Sequence, residues 1–299
     1  MKRLVECVPN FSEGRRPEVV DAIAAAIAAV PGVRLLGKEM DANHNRCVIT
    51  FIGEPEAVEE GAFQGALKAT ELIDMEKHKG EHPRVGALDV LPFVPLRGVT
   101  LEDCTKIAHR VGERIASVLG VPVYFYEAAA TRPERKALPD LRKGEYEGLK
   151  AEIATNPDRR PDAGPSKLHP KAGATIVGAR PPLIAYNVNL GTKDLALAKR
   201  IAKTIRERDG GLPAVRALGM DLKDRGLVQV SVNLVDYRRT PIHAVFEAVR
   251  NEAQKAGVEV VGSEIVGLVP LDAIAQAADR FLKLEKFTND QILETRLVE

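Results

Sequence analysis

Apolar and polar positions along the chain alternate in two runs of strand and helix signals that follow the same order. In the later run, Leu183 to Leu190 (LIAYNVNL) reads as a strand rich in β-branched and aromatic residues. Thr192 is placed to cap a helix from Lys193 to about Arg208, with Leu195, Ala198, Ile201, Ala202 and Ile205 on one face. Ala214 to Asp221 and Gly226 to Val235 read as strands, the second through the alternation VQVSVNLV. Thr240-Pro241 predicts a capped helix start, Ile242, Val245, Phe246, Val249 and Ala253 line its inner face, and Gly257 ends it. Val258 to Val261 closes the run as a short strand. This order, β-α-β-β-α-β, is that of the ferredoxin-like unit.

The earlier run repeats it. Leu4 to Val8 predicts a strand, Pro17 to Val30 a helix, Val33 to Glu39 and Arg46 to Gly53 two strands, and Pro55 to Ile73 a long helix. Leu88 to Leu96 follows as an apolar strand broken by Pro92 and Pro95. Thr100 then caps a helix that buries Ile107, Val111, Ile115, Val118 and Leu119 and ends at Gly120, before a strand from Val121 to Tyr126. The expectation is an α/β (α+β) chain of two tandem ferredoxin-like subdomains with mixed sheets. Their expected extents are 1–173, including a junction loop at 127–173, and 174–299. That junction is basic and lacks periodicity, yet Pro161-Asp162-Ala163-Gly164-Pro165 is too punctuated for a tether. It reads as a loop covering a ligand.

Composition narrows the function classes. With 43 Lys+Arg against 42 Asp+Glu there is no global basic field, and 4% aromatics without tryptophan leave no stacking platform, so nucleic acid is not an expected partner. No apolar run reaches the roughly 20 residues of a membrane span, and no signal-peptide pattern opens the chain. Cys7, Cys47 and Cys104 are widely spaced in apolar surroundings, as in a reduced cytoplasmic protein.

Candidate chemistry concentrates in Lys77-His78-Lys79-Gly80-Glu81-His82-Pro83-Arg84. Histidine exchanges protons near neutral pH, and neighbouring cations attract an anionic substrate while biasing the ring toward its proton-accepting form. His82 is therefore read as a general acid/base, against the plainer alternative of a loop histidine bonded to backbone. His78 is read as belonging to the end of the preceding helix. His78 to His82 also matches the H-x-x-E-H pattern of zinc peptidases, but Gly80 and Pro83 oppose the helix it requires, and no metal is expected. His44, in a turn flanked by Asp41 and Arg46, divides evenly between turn and site. His169 in the basic junction is a candidate for ligand contact, whereas His109 and His243 read as structural. P-loop, Rossmann and nucleophile-elbow motifs are missing.

Four runs extend the reading: VECVPNFSEG (5–14), LIDMEKHKGEHPRVGALDVLPFVPL (72–96), PDAGPSKLHPKAGATIVGAR (161–180) and LIAYNVNL (183–190). Together with VGSEIVGLVPL near 261–271, the chain resembles the glutamate formiminotransferase family over essentially its whole length. The resemblance implies transfer of a formimino group from N-formimino-L-glutamate to tetrahydrofolate, giving 5-formiminotetrahydrofolate and L-glutamate. It implies a homodimer with a folate cleft between the subdomains and His82 as the catalytic histidine. It implies tetrahydrofolate as co-substrate, and no metal, nucleic acid or membrane is expected to be involved. The stand-alone length leads us to expect no cyclodeaminase domain. The family's folate-binding segment corresponds to Pro161, Asp162, Ala163, Gly164, Pro165, Ser166, Lys167, Leu168, His169 and Pro170, with main-chain contacts expected there. Lys77, Lys79 and Arg84 are the candidate cations for the substrates' carboxylates, and Asp41 is a candidate to orient His82 or polarise the amidine. Formyl transfer between glutamate and tetrahydrofolate, and a non-catalytic folate-binding protein, stay open as alternatives.

Overall fold

Each helix of the first half begins where its local chemistry directs. In the computed structural model, which describes residues 3–297, α1 (Pro17–Ala28) and α2 (Pro55–Leu72) open on prolines, whose fixed φ suits the first helical turn. α3 (Leu101–Leu119) opens on a reciprocal Thr100–Asp103 capping box and stops at Gly120, where φ is +66°. Between them run β1 (Leu4–Cys7), β2 (Asn10–Phe11), β3 (Arg34–Asp41), β4 (Arg46–Gly53), β5 (Leu88–Arg97), β6 (Val123–Glu127) and β7 (Thr175–Ala179). α4 (Leu138–Leu141) and α5 (Glu145–Glu152) lie between β6 and β7.

These strands form one seven-stranded sheet, with β3 beside β4, then β1 and β2, then β5, β7 and β6. β1 to β5 pair antiparallel, and β7 joins β5 and β6 in parallel, so this sheet is mixed. β4 alternates buried and half-buried residues, as one covered face demands, whereas β7 is buried throughout. β5 is one continuous strand across Pro92 and Pro95, contrary to the expected break. Proline removes only the N–H, and the Pro92 carbonyl still accepts from Val8 N at 3.3 Å.

The 127–173 stretch is built into the first core. Tyr146, Leu149 and Ile153 are buried there, and the Arg135–Asp162 ion pair, 2.7 Å long and almost fully enclosed, fastens its two ends. The chain divides into compact units between Arg180 and Pro181, later than the 173/174 boundary read from the sequence, because β7 completes the first sheet.

The second unit comprises β8 (Ile184–Leu190), α6 (Leu195–Ile205), β9 (Val215–Leu222), β10 (Leu227–Leu234), α7 (Ile242–Lys255), β11 (Val260–Val266), α8 (Leu271–Leu282) and α9 (Leu293–Leu297). Its sheet order, β11-β8-β10-β9, is antiparallel throughout and has the ferredoxin-like connectivity. Asp194, not Thr192, caps α6, accepting Leu197 N at 3.0 Å. Thr240 donates its hydroxyl to the Pro213 carbonyl instead of capping α7.

Candidate active site

Three backbone segments converge around His82: the β2 run Asn10–Gly14, the Asp41–Arg46 turn, and the loop from Asp74 to Asp89. Asn45 joins them. It adopts positive φ (48°), tolerable for asparagine, accepts Gly14 N at 2.9 Å and donates its amide to the Lys79 carbonyl at 3.0 Å. Gly14 and Gly80 let the backbones touch, since a Cβ on them would lie 2.1 Å from the Asp41 carbonyl oxygen and 2.2 Å from that of His44. His78 sits in this loop, beyond the end of α2 at Leu72, so the helix-end position expected for it is replaced by a tertiary one. Its Nε2 donates to the Asn45 carbonyl at 2.9 Å and its Nδ1 accepts from Arg84 Nε at 3.3 Å. The helix that a zinc-binding H-x-x-E-H would need does not form. Among the described residues no cluster of histidine, cysteine and carboxylate side chains is arranged to hold a metal ion.

His82 lines a pocket with Phe11, Ser12, His44, Asn45, Arg46, His78, Arg84 and Asp89. Burial, then the positive charges of Arg46 and Arg142 and the nearby His44, push its pKa down to about 3 against the pull of a hydrogen bond to the Pro83 backbone. The free site therefore holds a neutral imidazole. Asp41 does not bond to it: the carboxylate accepts His44 Nδ1 at 2.6 Å and the backbone N–H groups of Asn43 and His44 at 2.9 Å. Burial opposes ionisation of Asp41, but these hydrogen bonds prevail and hold its carboxyl below the usual value. The His44 ring in turn stands edge-on to His82, centroids 6.3 Å apart.

Of the expected carboxylate-binding cations Lys77, Lys79 and Arg84, the last lines the pocket. Arg84 is buried and committed to Glu145 (2.9 Å) and Glu147 (2.7 Å). Lys77 is exposed and 3.4 Å from Asp74, and Lys79 is exposed. The cations whose charge reaches His82 are Arg46 and Arg142. Arg46 donates to Asn10 Oδ1, and Arg142 is paired with Asp89, whose other oxygen accepts Val85 N at 2.7 Å. Asp89 carried a sequence signal that went unread, a lone acid inside the apolar run LDVLPFV. Arg142 stood out only as one of the basic residues of the 127–173 junction.

No side chain of 161–170 lines this pocket. Asp162 is held by Arg135 and accepts Phe125 N at 2.9 Å, while the Ala163 carbonyl accepts Val123 N at 2.9 Å. His169 Nδ1 accepts the backbone N–H of Ala172 at 2.9 Å, closing a turn, and Leu168 is buried. Pro161 is half-buried, and Gly164, Pro165, Ser166, Lys167 and Pro170 are exposed.

The family model described as formiminotransferase domain, N-terminal subdomain, matches residues 4–180, and that described as formiminotransferase domain matches 185–298. A Streptococcus pyogenes serotype M1 protein named glutamate formimidoyltransferase is 46% identical over the full length of both chains. A Thermoplasma acidophilum protein of the same name is 50% identical over 98% of this chain and 97% of its own. A Mus musculus formimidoyltransferase-cyclodeaminase is 49% identical over 100% of this chain and 56% of its own. With both subdomains matched end to end, and the His82 loop packed inside the first of them, the chain belongs to the formiminotransferase family.

Proposed function

We propose that the chain transfers the formimino group of N-formimino-L-glutamate to N5 of tetrahydrofolate, releasing L-glutamate and 5-formiminotetrahydrofolate, with His82 carrying the proton. The full-length identity to two relatives named glutamate formimidoyltransferase carries the substrate assignment. The pocket supports the chemistry. Attack of N5 on the amidine carbon releases a proton, and the departing glutamate nitrogen needs one, so a single imidazole can serve both in turn. A ring with pKa near 3 is neutral at working pH but too weak a base by itself. A bound anion offsets the field of Arg46 and Arg142 and raises the pKa of the ring toward working pH, so substrate binding makes His82 a more competent proton carrier. Asp41 acts one step removed, fixing the His44 tautomer and ring beside His82.

For folate we assign the exposed part of the 161–170 segment, Gly164 to Lys167 with Pro170, reached through main-chain groups, while Asp162, Ala163, Leu168 and His169 hold the segment's shape. No described helix is long and apolar enough to cross a membrane. We place the enzyme in the cytoplasm as a homodimer, which sedimentation equilibrium checks.

The deciding assay follows tetrahydrofolate-dependent glutamate release from formiminoglutamate and formylglutamate in parallel. Release from the formimino donor, falling by roughly 10²–10⁴ in His82→Ala, is the expected result. Preference for formylglutamate transfers the assignment to formyl transfer, and no release from either donor leaves a folate-binding protein.

A further inference from the structure

Arg46 lines the His82 pocket, Arg142 is paired with Asp89 of the same lining, and each has hydrogen-bonding capacity that its partners do not exhaust. Arg46, at the start of β4, donates a terminal nitrogen to Asn10, and Arg142, just past α4, donates one to Asp89. The Nε of each is buried and has no acceptor among the described residues. Native proteins seldom leave buried polar atoms in that condition without a functional reason. Arg84 is engaged by Glu145 and Glu147, and the Asp41 carboxylate accepts His44 Nδ1. Arg142 is ion-paired with Asp89, whose charge, with that of Asp41, also acts on Arg46.

Building on the function proposed above, we propose that the Nε–H groups of Arg46 and Arg142 hold the α-carboxylate of the formimino donor against His82. Guanidinium suits this role because its planar array of donors matches a carboxylate. The α-carboxylate is the donor's anionic group nearest the reaction, attached to the same carbon as the departing nitrogen, whereas the γ-carboxylate hangs on a flexible chain. Anchoring it beside His82 brings that nitrogen within reach of the ring. The bond from N5 to the amidine carbon then forms as the N5 proton passes to His82. The bond from that carbon to the glutamate nitrogen breaks as His82 delivers the proton there, and no redox partner is required. The same carboxylate offsets the arginine charges that, after burial, keep the empty site's imidazole unprotonated, so donor binding favours the proton transfer.

The test compares N-formimino-L-glutamate with formiminated 4-aminobutyrate, which lacks only the α-carboxylate, in the full chain and in Arg46→Gln, Arg142→Gln and the charge-retaining Arg142→Lys. The unsubstituted chain is expected to favour the full donor strongly in kcat/KM. Each Gln variant is expected to lose roughly 30-fold or more on the full donor. It should lose little on the truncated one, with the KM for tetrahydrofolate unchanged and Arg142→Lys intermediate. Equal losses on both donors, or an unsubstituted chain indifferent to the α-carboxylate, overturn the proposal. Should the Gln variants not fold, calorimetric titration of the unsubstituted chain with L-glutamate and with 4-aminobutyrate decides the same point, equal affinities refuting it. Turnover of neither donor overturns the function proposed above instead, and that titration still tests the subsite.

Discussion

Below pH 6.5, an unfolded chain protonates His82 while the folded one does not until about pH 3. The unfolded state therefore binds more protons across that window, so the contribution of His82 to stability is complete above pH 6.5 and is lost as pH falls toward 3. The loss between pH 6.5 and 4.5 is expected to be about 2 kcal/mol. Urea denaturation of the parent and of His82→Ala at several pH values checks this, and parallel pH profiles would contradict it. The sequence draws attention to His82 because histidine, lysine and arginine crowd one punctuated loop. Its environment was not. Asp41 was expected to act on His82, but the turn it closes belongs to His44, three residues away, and an Asx-type turn satisfies its own neighbours first.

At the scale of elements, the site depends on how tightly three loops approach rather than on any one of them. Gly80 packs against the His44 carbonyl, so Gly80→Ala forces the His82 loop away from the Asp41–Arg46 turn. A cost of about 1–3 kcal/mol is expected, with kcat/KM reduced at least tenfold while far-ultraviolet circular dichroism stays that of the parent. Unchanged kinetics would mean that the turn gives way without moving His82. The junction between β6 and β7 follows a different logic. Its helices are too short and too polar in pattern to announce themselves, and a buried ion pair holds them. Asp162→Ala leaves the Arg135 guanidinium enclosed without its carboxylate, so a stability loss of about 3–5 kcal/mol is expected in urea titration. A loss under 1 kcal/mol would show that Arg135 finds other acceptors.

Across the whole molecule, two separate hydrophobic clusters lie on either side of Arg180. The second has four strands, all antiparallel, with α6 and α7 covering them, which is a core sufficient for a small domain. Residues 181–299 expressed alone are expected to unfold in one cooperative urea transition, and a broad, probe-dependent transition would count against an independent core. Periodicity alone determined most of the elements and the order of their connection in both halves, because burial on one face writes itself into every second or every third to fourth residue. Residue chemistry alone also singled out the His82 loop. Only the tertiary structure decided what the cations near the site are paired with. Arg84 lies two residues from His82 but is claimed by Glu145 and Glu147, 61 and 63 positions away, while Arg142 is brought to Asp89 across 53. Whether a charge is available depends on what lies beside it in space, and sequence proximity carries no information about partners so distant along the chain.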